Sequence, residues 1–194
     1  MTDLIDELVS IAPGDPLDAI RAQRPDARAN AQASYDALLA PRDIAHVSIA
    51  ERFAIAFWSA AISRSSVAAH YRARLASEDP AALAAIEDAL PEAFTTGPYG
   101  AYPPGPLSVE DEPGLEWRAS DALRERIGDR LAAALEHAHL LTFHPRDSSP
   151  EALESLLAAG WSTTGVVTLS QLVAFVHFQL RVVAGLTVLR EAQR

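Results

Sequence analysis

The stretch SIAERFAIAFWSAAI, residues 48–62, decides the fold class, because it combines a helix start signal with a helical period. Ser48 and Glu51 have the spacing of a capping box, in which each side chain satisfies a free backbone N–H at the start of a helix. An apolar stripe then recurs every three or four residues, at Ala54, Phe57, Trp58 and Ala61. This pattern predicts a helix that begins at Ser48 and buries one face.

The same period recurs along the chain, and no stretch alternates in the way that a half-buried strand does. Proline, glycine and serine mark the predicted helix ends, including a break at Ser63–Ser66. The other helices are predicted over 3–10, 16–24, 28–39, 66–76, 80–90, 121–141, 149–160 and 166–190. We therefore expect a single all-α domain over residues 1–194, a bundle of about eight helices with an N-terminal extension at 1–27.

Residues 91–118 differ from the rest, because ten of them are proline or glycine, which disfavour regular structure. Long loops inside a compact domain often serve as lids or as partner contacts. A solvent-exposed connector between two halves of the domain explains the same composition. The sequence leaves both interpretations open.

The net charge of −10 makes nucleic acid and anionic membrane surfaces unfavourable partners, because both carry negative charge. The most apolar stretch, residues 165–189, contains Gln171, His177, Gln179 and Arg181, which are costly in lipid. We therefore expect a buried core helix that also contributes to a subunit interface, and hence a homo-oligomer. No basic, apolar signal segment stands at residues 1–7, so a cytoplasmic location is predicted.

The middle of the chain contains a specific constellation of polar residues. Glu51 is followed twelve residues later by SRSSVAAH, residues 63–70, so that Ser63, Ser66 and His70 have fixed spacings. This segment resembles the active-site segment of the carboxymuconolactone decarboxylase and alkylhydroperoxidase D family. The resemblance extends loosely over residues 28–189 and is closest to a cysteine-less branch known as CMD domain proteins.

The resemblance implies that Ser63 and Ser66 stand where the family's peroxidases have two cysteines, beside the proton-relay residues Glu51 and His70. Because the chain has no cysteine, a thiol peroxidase mechanism is excluded. What remains is a pocket for an oxygenated or carboxylated small molecule, with acid–base chemistry by Glu51 and His70. An alternative is a non-catalytic partner of a cysteine-bearing relative.

Each of these residues also has a purely structural interpretation. Glu51 has the capping-box spacing from Ser48, His70 follows an apolar helix stripe, and Ser63 and Ser66 are good helix caps. If Glu51 and His70 act together, they must lie within hydrogen-bond reach, directly or through one water, beside a cavity. This geometric requirement separates the two interpretations.

Four further residues are candidates for contacts to a substrate. Trp58 and Tyr71 are aromatic residues close to the constellation, and packing in the core explains them equally well. His177 and Arg181 are four residues apart on one face of the last helix, where they could hold a substrate carboxylate. An interface pair is the alternative for these two.

No metal and no cofactor is predicted. His137 and His139 are two residues apart on a helix, so they face different directions, which is a poor spacing for a metal site. The chain also lacks the glycine-rich loops that bind nucleotides and the serine motif of the hydrolases.

Overall fold

The computed structural model describes residues 3–192 and shows an all-α protein, as predicted. Nine α-helices and no β-strand are present in this range. They are α1 (Leu4–Val9), α2 (Pro16–Ala22), α3 (Pro25–Leu39), α4 (Ile49–Ile62), α5 (Ala68–Glu78), α6 (Pro80–Ala93), α7 (Asp121–Phe143), α8 (Pro150–Ala158) and α9 (Thr163–Ala192). Two short 3-10 helices, Pro106–Glu110 and Pro145–Asp147, complete the regular structure.

Helix α4 is the centre of the bundle and packs against α5, α6, α7 and α9. The predicted capping box is confirmed, because Ser48 accepts from the Glu51 N–H while the Glu51 carboxylate accepts from the Ser48 N–H. All eleven residues from Arg52 to Ile62 are buried, so α4 is covered on every side. Surrounding one apolar helix with others is how a chain of this size forms a single core.

Helix α7 contains a kink that its sequence pattern did not predict. Gly128 has φ 78° and ψ 155°, which interrupts the helix seven residues after its start. Only glycine adopts this conformation without a steric penalty. The longer segment after the kink carries Arg130, His137 and Thr142, which contact Glu51, Ser170 and His177 respectively.

Helix α9 is long and apolar enough to cross a membrane by length and composition. In this fold, one face of the helix packs against α3, α4 and α7, as a core helix does. The opposite face is exposed at intervals that alternate between four and three residues. Its members are Val167, Gln171, Ala174, Phe178, Arg181, Gly185 and Val188.

The connection between α6 and α7 spans residues 94–120 and is tied to the end of α7. The Tyr99 N–H donates to the Phe143 carbonyl at 2.6 Å, and the Ala101 N–H donates to the Asp147 carboxylate. Gly100 and Glu112 form an isolated antiparallel bridge. Helix α6 continues through Pro91 to Ala93, beyond the predicted end at 90, because a proline in the last turn removes only one helical hydrogen bond.

A candidate binding cleft between the α4–α5 turn and α9

A cleft of about 1220 Å³ opens between four segments of the chain. The α4–α5 turn forms one side and the stripe of α9 from Ser170 to Ala184 forms the other. The ends are closed by residues 95–98 and by the last turn of α7 with Pro145. Of the eight predicted site residues, four line this cleft, namely Ser63, Ser66, His177 and Arg181.

The charge of the cleft is opposite to that of the protein. Its lining includes Arg64 and Arg181 and no aspartate or glutamate, whereas the whole chain carries −10. Neither arginine forms an ion pair with a carboxylate among residues 3–192. Two unneutralised guanidinium groups create a local positive potential, which attracts small anions even on an acidic protein.

The turn that holds Arg64 is a Schellman motif at the end of α4. The Ser65 N–H donates to the Ala60 carbonyl and the Arg64 N–H donates to the Ala61 carbonyl. Arg64 therefore has a left-handed backbone, with φ 52°, at a position where glycine is the usual residue. A side chain here costs about 1 kcal/mol relative to an unstrained backbone. Strain of this kind concentrates at functional sites.

The two serines of the turn differ in their contacts. Ser63 donates its hydroxyl to the Ser59 carbonyl at 2.7 Å, which satisfies it within the helix end. The Ser66 hydroxyl has no hydrogen-bond partner in the described part of the chain, and the residue is exposed. Ser66 is thus the serine whose hydroxyl is available to a ligand in the cleft.

His177 has a defined tautomer because of its neighbour Thr142. The Thr142 hydroxyl donates to the Ala138 carbonyl at 2.7 Å, so toward His177 Nε2, at 2.9 Å, its oxygen acts as the acceptor. His177 Nε2 therefore carries the proton, and Nδ1 is an unprotonated acceptor. Burial lowers the pKa of His177 to about 4, and the positive charge of Arg181 contributes to the shift. The imidazole is neutral at pH 7.

Arg181 is placed to contact a ligand. One of its terminal nitrogens donates to the His177 carbonyl at 3.1 Å, a bond within α9 that orients the side chain. The other donors of the guanidinium have no partner among residues 3–192. The fork of N–H groups that remains matches the geometry of a carboxylate.

Glu51 lies outside the cleft and is part of a structural cluster. Its carboxylate accepts from Ser48 and from the Arg130 guanidinium, the latter at 2.6 Å. Arg130 also donates to the carbonyls of Gly160 and His46 and stacks on the Trp161 ring, 3.9 Å from its centroid. We call Glu51, Arg130 and Trp161 the arginine clamp. It joins the starts of α4 and α9 to α7.

The predicted Glu51–His70 pair does not form. Twelve residues of helix separate Glu51 from Ser63, which is about 18 Å at 1.5 Å per residue. His70 lies in the first turn of α5, beyond the far end of α4, and its Nε2 is 2.9 Å from the Tyr35 hydroxyl. Burial, with a contribution from Arg74, lowers the pKa of His70. Neither residue lines the cleft.

Trp58 and Tyr71 belong to the core and not to the cleft. Trp58 is fully buried, and its indole N–H donates to the Leu135 carbonyl at 3.0 Å. Tyr71 is also fully buried and donates its hydroxyl to Gln179 on α9. Burial raises the pKa of the Tyr71 hydroxyl, so it stays protonated. The core interpretation of these two aromatic residues thus accounts for their contacts.

Sequence reasoning missed Arg64, Thr142 and Arg130. Arg64 could have been found, because it occupies the position just after a helix end where glycine is expected. Thr142 and Arg130 carry no local signal, since their roles depend on residues 35 and 79 positions away in the chain. Comparison of this chain with protein-family models, with curated proteins and with solved structures finds no match.

Proposed function

We propose that this protein binds a small carboxylated organic molecule in the cleft between the α4–α5 turn and α9. The observation that carries the proposal is the pair Arg64 and Arg181 in a lining without any carboxylate. Apolar side chains share the lining, among them Val173, Leu180 and Phe143. A cleft with an apolar wall and a few convergent polar groups is typical of small-molecule sites.

The contacts of such a ligand follow from the polar groups of the cleft. The Arg181 fork binds the carboxylate, while Arg64 adds charge from the opposite wall. A hydroxyl of the ligand donates to His177 Nδ1, and the Ser66 hydroxyl offers a further hydrogen bond. The organic body of the ligand packs against the apolar face of α9.

Binding is favoured over acid–base catalysis. A general base works best when its pKa lies near the working pH, and burial holds the pKa of His177 near 4. Glu51 and His70, on which the acid–base hypothesis rested, have their hydrogen bonds elsewhere.

Benzoate is a suitable probe, because it combines one carboxylate with one apolar ring. We expect calorimetric titration to detect benzoate binding, and Arg181→Gln to weaken it about tenfold or more, the usual effect of removing a charged hydrogen bond. Arg126→Gln is the matched control, since it removes the same charge from an exposed pair with Asp88 outside the cleft. Equal affinities in the two variants would contradict the proposal.

We also propose that the protein self-associates through the exposed face of α9. The alternating spacing of that face, from Val167 to Val188, is the spacing of helices that pack in pairs. Ala174 and Arg181 belong to both this face and the cleft, so a second copy would cover the open side of the cleft. The alternative, that a cysteine-bearing relative binds the same face, stays a prediction.

Light scattering on the purified protein tests the assembly. We expect a dimer or a larger homo-oligomer, and Phe178→Glu should shift it toward the monomer, because a charge would be buried at the centre of the exposed face. Glu191→Gln, near the end of the same helix, should leave the size unchanged. A monomeric wild-type protein would contradict this proposal and leave the binding proposal intact.

A further inference from the structure

A second cavity, of about 320 Å³, lies on the other side of α7. Its lining comes from α7, from α8 and from residues 116–118 of the preceding connection. None of the residues predicted to bind substrate contributes to it. His137, His139 and His144 all line it, and the first two had been judged a poor metal spacing from the sequence. These side chains do not converge on a common point, since the described part of the chain contains no group of three or more histidine or carboxylate side chains that could hold a metal ion.

Trp117 presents the first unusual feature of this cavity. Its side chain lines the cavity and is buried, yet its indole N–H has no hydrogen-bond partner among residues 3–192. The other two tryptophans behave normally, since Trp58 and Trp161 donate to backbone carbonyls at 3.0 and 2.8 Å. A buried indole N–H without an acceptor is destabilising and calls for a partner.

His137 presents the second unusual feature. It is 94% buried from solvent, being 6% exposed, and its Nε2 is 3.2 Å from the Ser170 hydroxyl. Its Nδ1 has no partner in the described residues. Either tautomer leaves Nδ1 unsatisfied, as a donor or as an acceptor, because the serine hydroxyl can adapt to both at Nε2. Two side chains of one cavity thus each lack one hydrogen bond.

The charge around the cavity disfavours anions. Four carboxylates line it, those of Glu116, Glu136, Asp147 and Glu151, together with the guanidinium of Arg118. Glu136 is paired with Arg118 and Arg124, and Asp147 with His144, whereas Glu116 and Glu151 have no ion pair among residues 3–192. Burial lowers the pKa of His137 and brings that of His139 to about 4, so neither adds positive charge at pH 7. An anionic ligand would meet repulsion here, whereas an uncharged one would not.

We propose that this cavity is a second binding site, for an uncharged planar molecule that bears a carboxamide or an equivalent acceptor and donor pair. The carbonyl of such a group accepts from the Trp117 indole N–H, and its N–H donates to His137 Nδ1 in the acceptor tautomer. Both nitrogens are buried in the unliganded structure, so each ring must rotate slightly toward the cavity to form these bonds. The ring packs against Leu140 and Leu156, which supply the apolar part of the lining. The volume is at the lower end of the range of small-molecule pockets.

Benzamide is the probe, and benzoate, its anionic counterpart of the same shape, is the control ligand. In protein labelled with ¹⁵N, the three tryptophans give three indole N–H resonances. We expect benzamide at millimolar concentration to shift the Trp117 resonance and to leave those of Trp58 and Trp161 in place. Trp117→Phe assigns the resonance and should weaken benzamide binding about tenfold.

Surface variants keep the test independent of folding. Glu116 and Glu151 are exposed, so Glu116→Gln combined with Glu151→Gln should leave the fold intact and strengthen benzoate binding in this cavity. Glu154→Gln, on α8 but outside the lining, is the matched control and should change nothing. A Trp117 resonance that does not move with benzamide, or that benzoate moves equally, would overturn the proposal.

Discussion

The cleft and the second cavity lie on two sides of the same helix and have opposite electrostatic character. The last turns of α7 contribute Thr142 to the cleft and Leu140 to the cavity. A side-chain hydrogen bond, between His137 in the cavity and Ser170 in the cleft, joins the two linings. The cleft contains two arginines and no carboxylate, whereas the cavity contains four carboxylates and one arginine.

The difference shows that the net charge of the chain does not decide the local charge of a cleft or cavity. The cleft takes its arginines from the α4–α5 turn and from α9, and the cavity takes one carboxylate each from the 116–118 segment, α7, the α7–α8 connection and α8. Helix α7 supplies Thr142 to the cleft and the histidines His137 and His139 to the cavity, whereas the histidine of the cleft, His177, lies on α9. In our account, the elements that flank α7 supply most of the charge of each site, and α7 adds Glu136 to the cavity.

The largest effect that we expect is a loss of stability in acid. The folded protein keeps His177 in the cleft and His139 in the cavity neutral, with burial lowering each pKa to about 4. Because an unfolded histidine has a pKa near 6.5, unfolding takes up protons below that pH, and stability falls as the pH drops toward 4. Urea unfolding should show a loss on the order of 3 kcal/mol between pH 7 and pH 5.

Two variants divide this acid effect between the sites. Glutamine places an N–H close to the position of the histidine Nε2 but does not titrate. His177→Gln should therefore remove the part of the acid-induced stability loss that comes from the cleft, and His139→Gln the part that comes from the cavity. His46→Gln, whose histidine is exposed, is the control. If the free energy of unfolding is the same at pH 7 and pH 5, both histidines are solvated and this part of the comparison fails.

The next largest effect concerns the arginine clamp, which we expect to stabilise the fold without contributing to ligand binding at either site. Glu51→Gln should lower the free energy of unfolding by about 1 kcal/mol, because a partly exposed charged pair with Arg130 becomes a neutral hydrogen bond. Benzoate and benzamide affinities should not change, since Glu51 lines neither the cleft nor the cavity. If benzoate affinity drops while the free energy of unfolding stays the same, Glu51 contributes to benzoate binding and this prediction is wrong.

The smallest effect concerns the strained turn in the cleft. Arg64→Gly relieves the left-handed backbone but increases the entropy of the unfolded chain, so the net gain in stability should be about 0.5 kcal/mol. Benzoate affinity should fall about threefold, because one of two positive charges is lost from the lining. Arg42→Gly, at an exposed position outside the cleft, controls for the loss of charge. Unchanged benzoate affinity would show that Arg64 does not contribute.

The elements were predictable because their signals are local. The Ser48–Glu51 capping box, the break at Ser63–Ser66 and the long apolar pattern of α9 each depend on residues within a few positions, and the structure contains all three. The kink at Gly128 was not predicted, since a single glycine inside a helical pattern is compatible with a straight helix as well.

The site was predictable only in part. Ser66, His177 and Arg181 were each named as candidates from local features of the turn and of the last helix, and all three line the cleft. The ion pair between Glu51 and Arg130 was not predicted, because no residue near position 51 in the sequence indicates that Arg130 lies beside it. The carboxylate satisfies the capping box and the clamp at once, and this combination draws it away from His70. The Trp117 and His137 cavity exists only through tertiary packing.

A crystal structure of the protein grown with benzoate and benzamide together tests the central claim most directly. Our account predicts benzoate in the cleft, with its carboxylate on the Arg181 guanidinium, and benzamide in the cavity, with its carbonyl on the Trp117 indole N–H. Benzoate bound beside Trp117, or both molecules competing for one site, would contradict the assignment of opposite charge preferences to the two sides of α7.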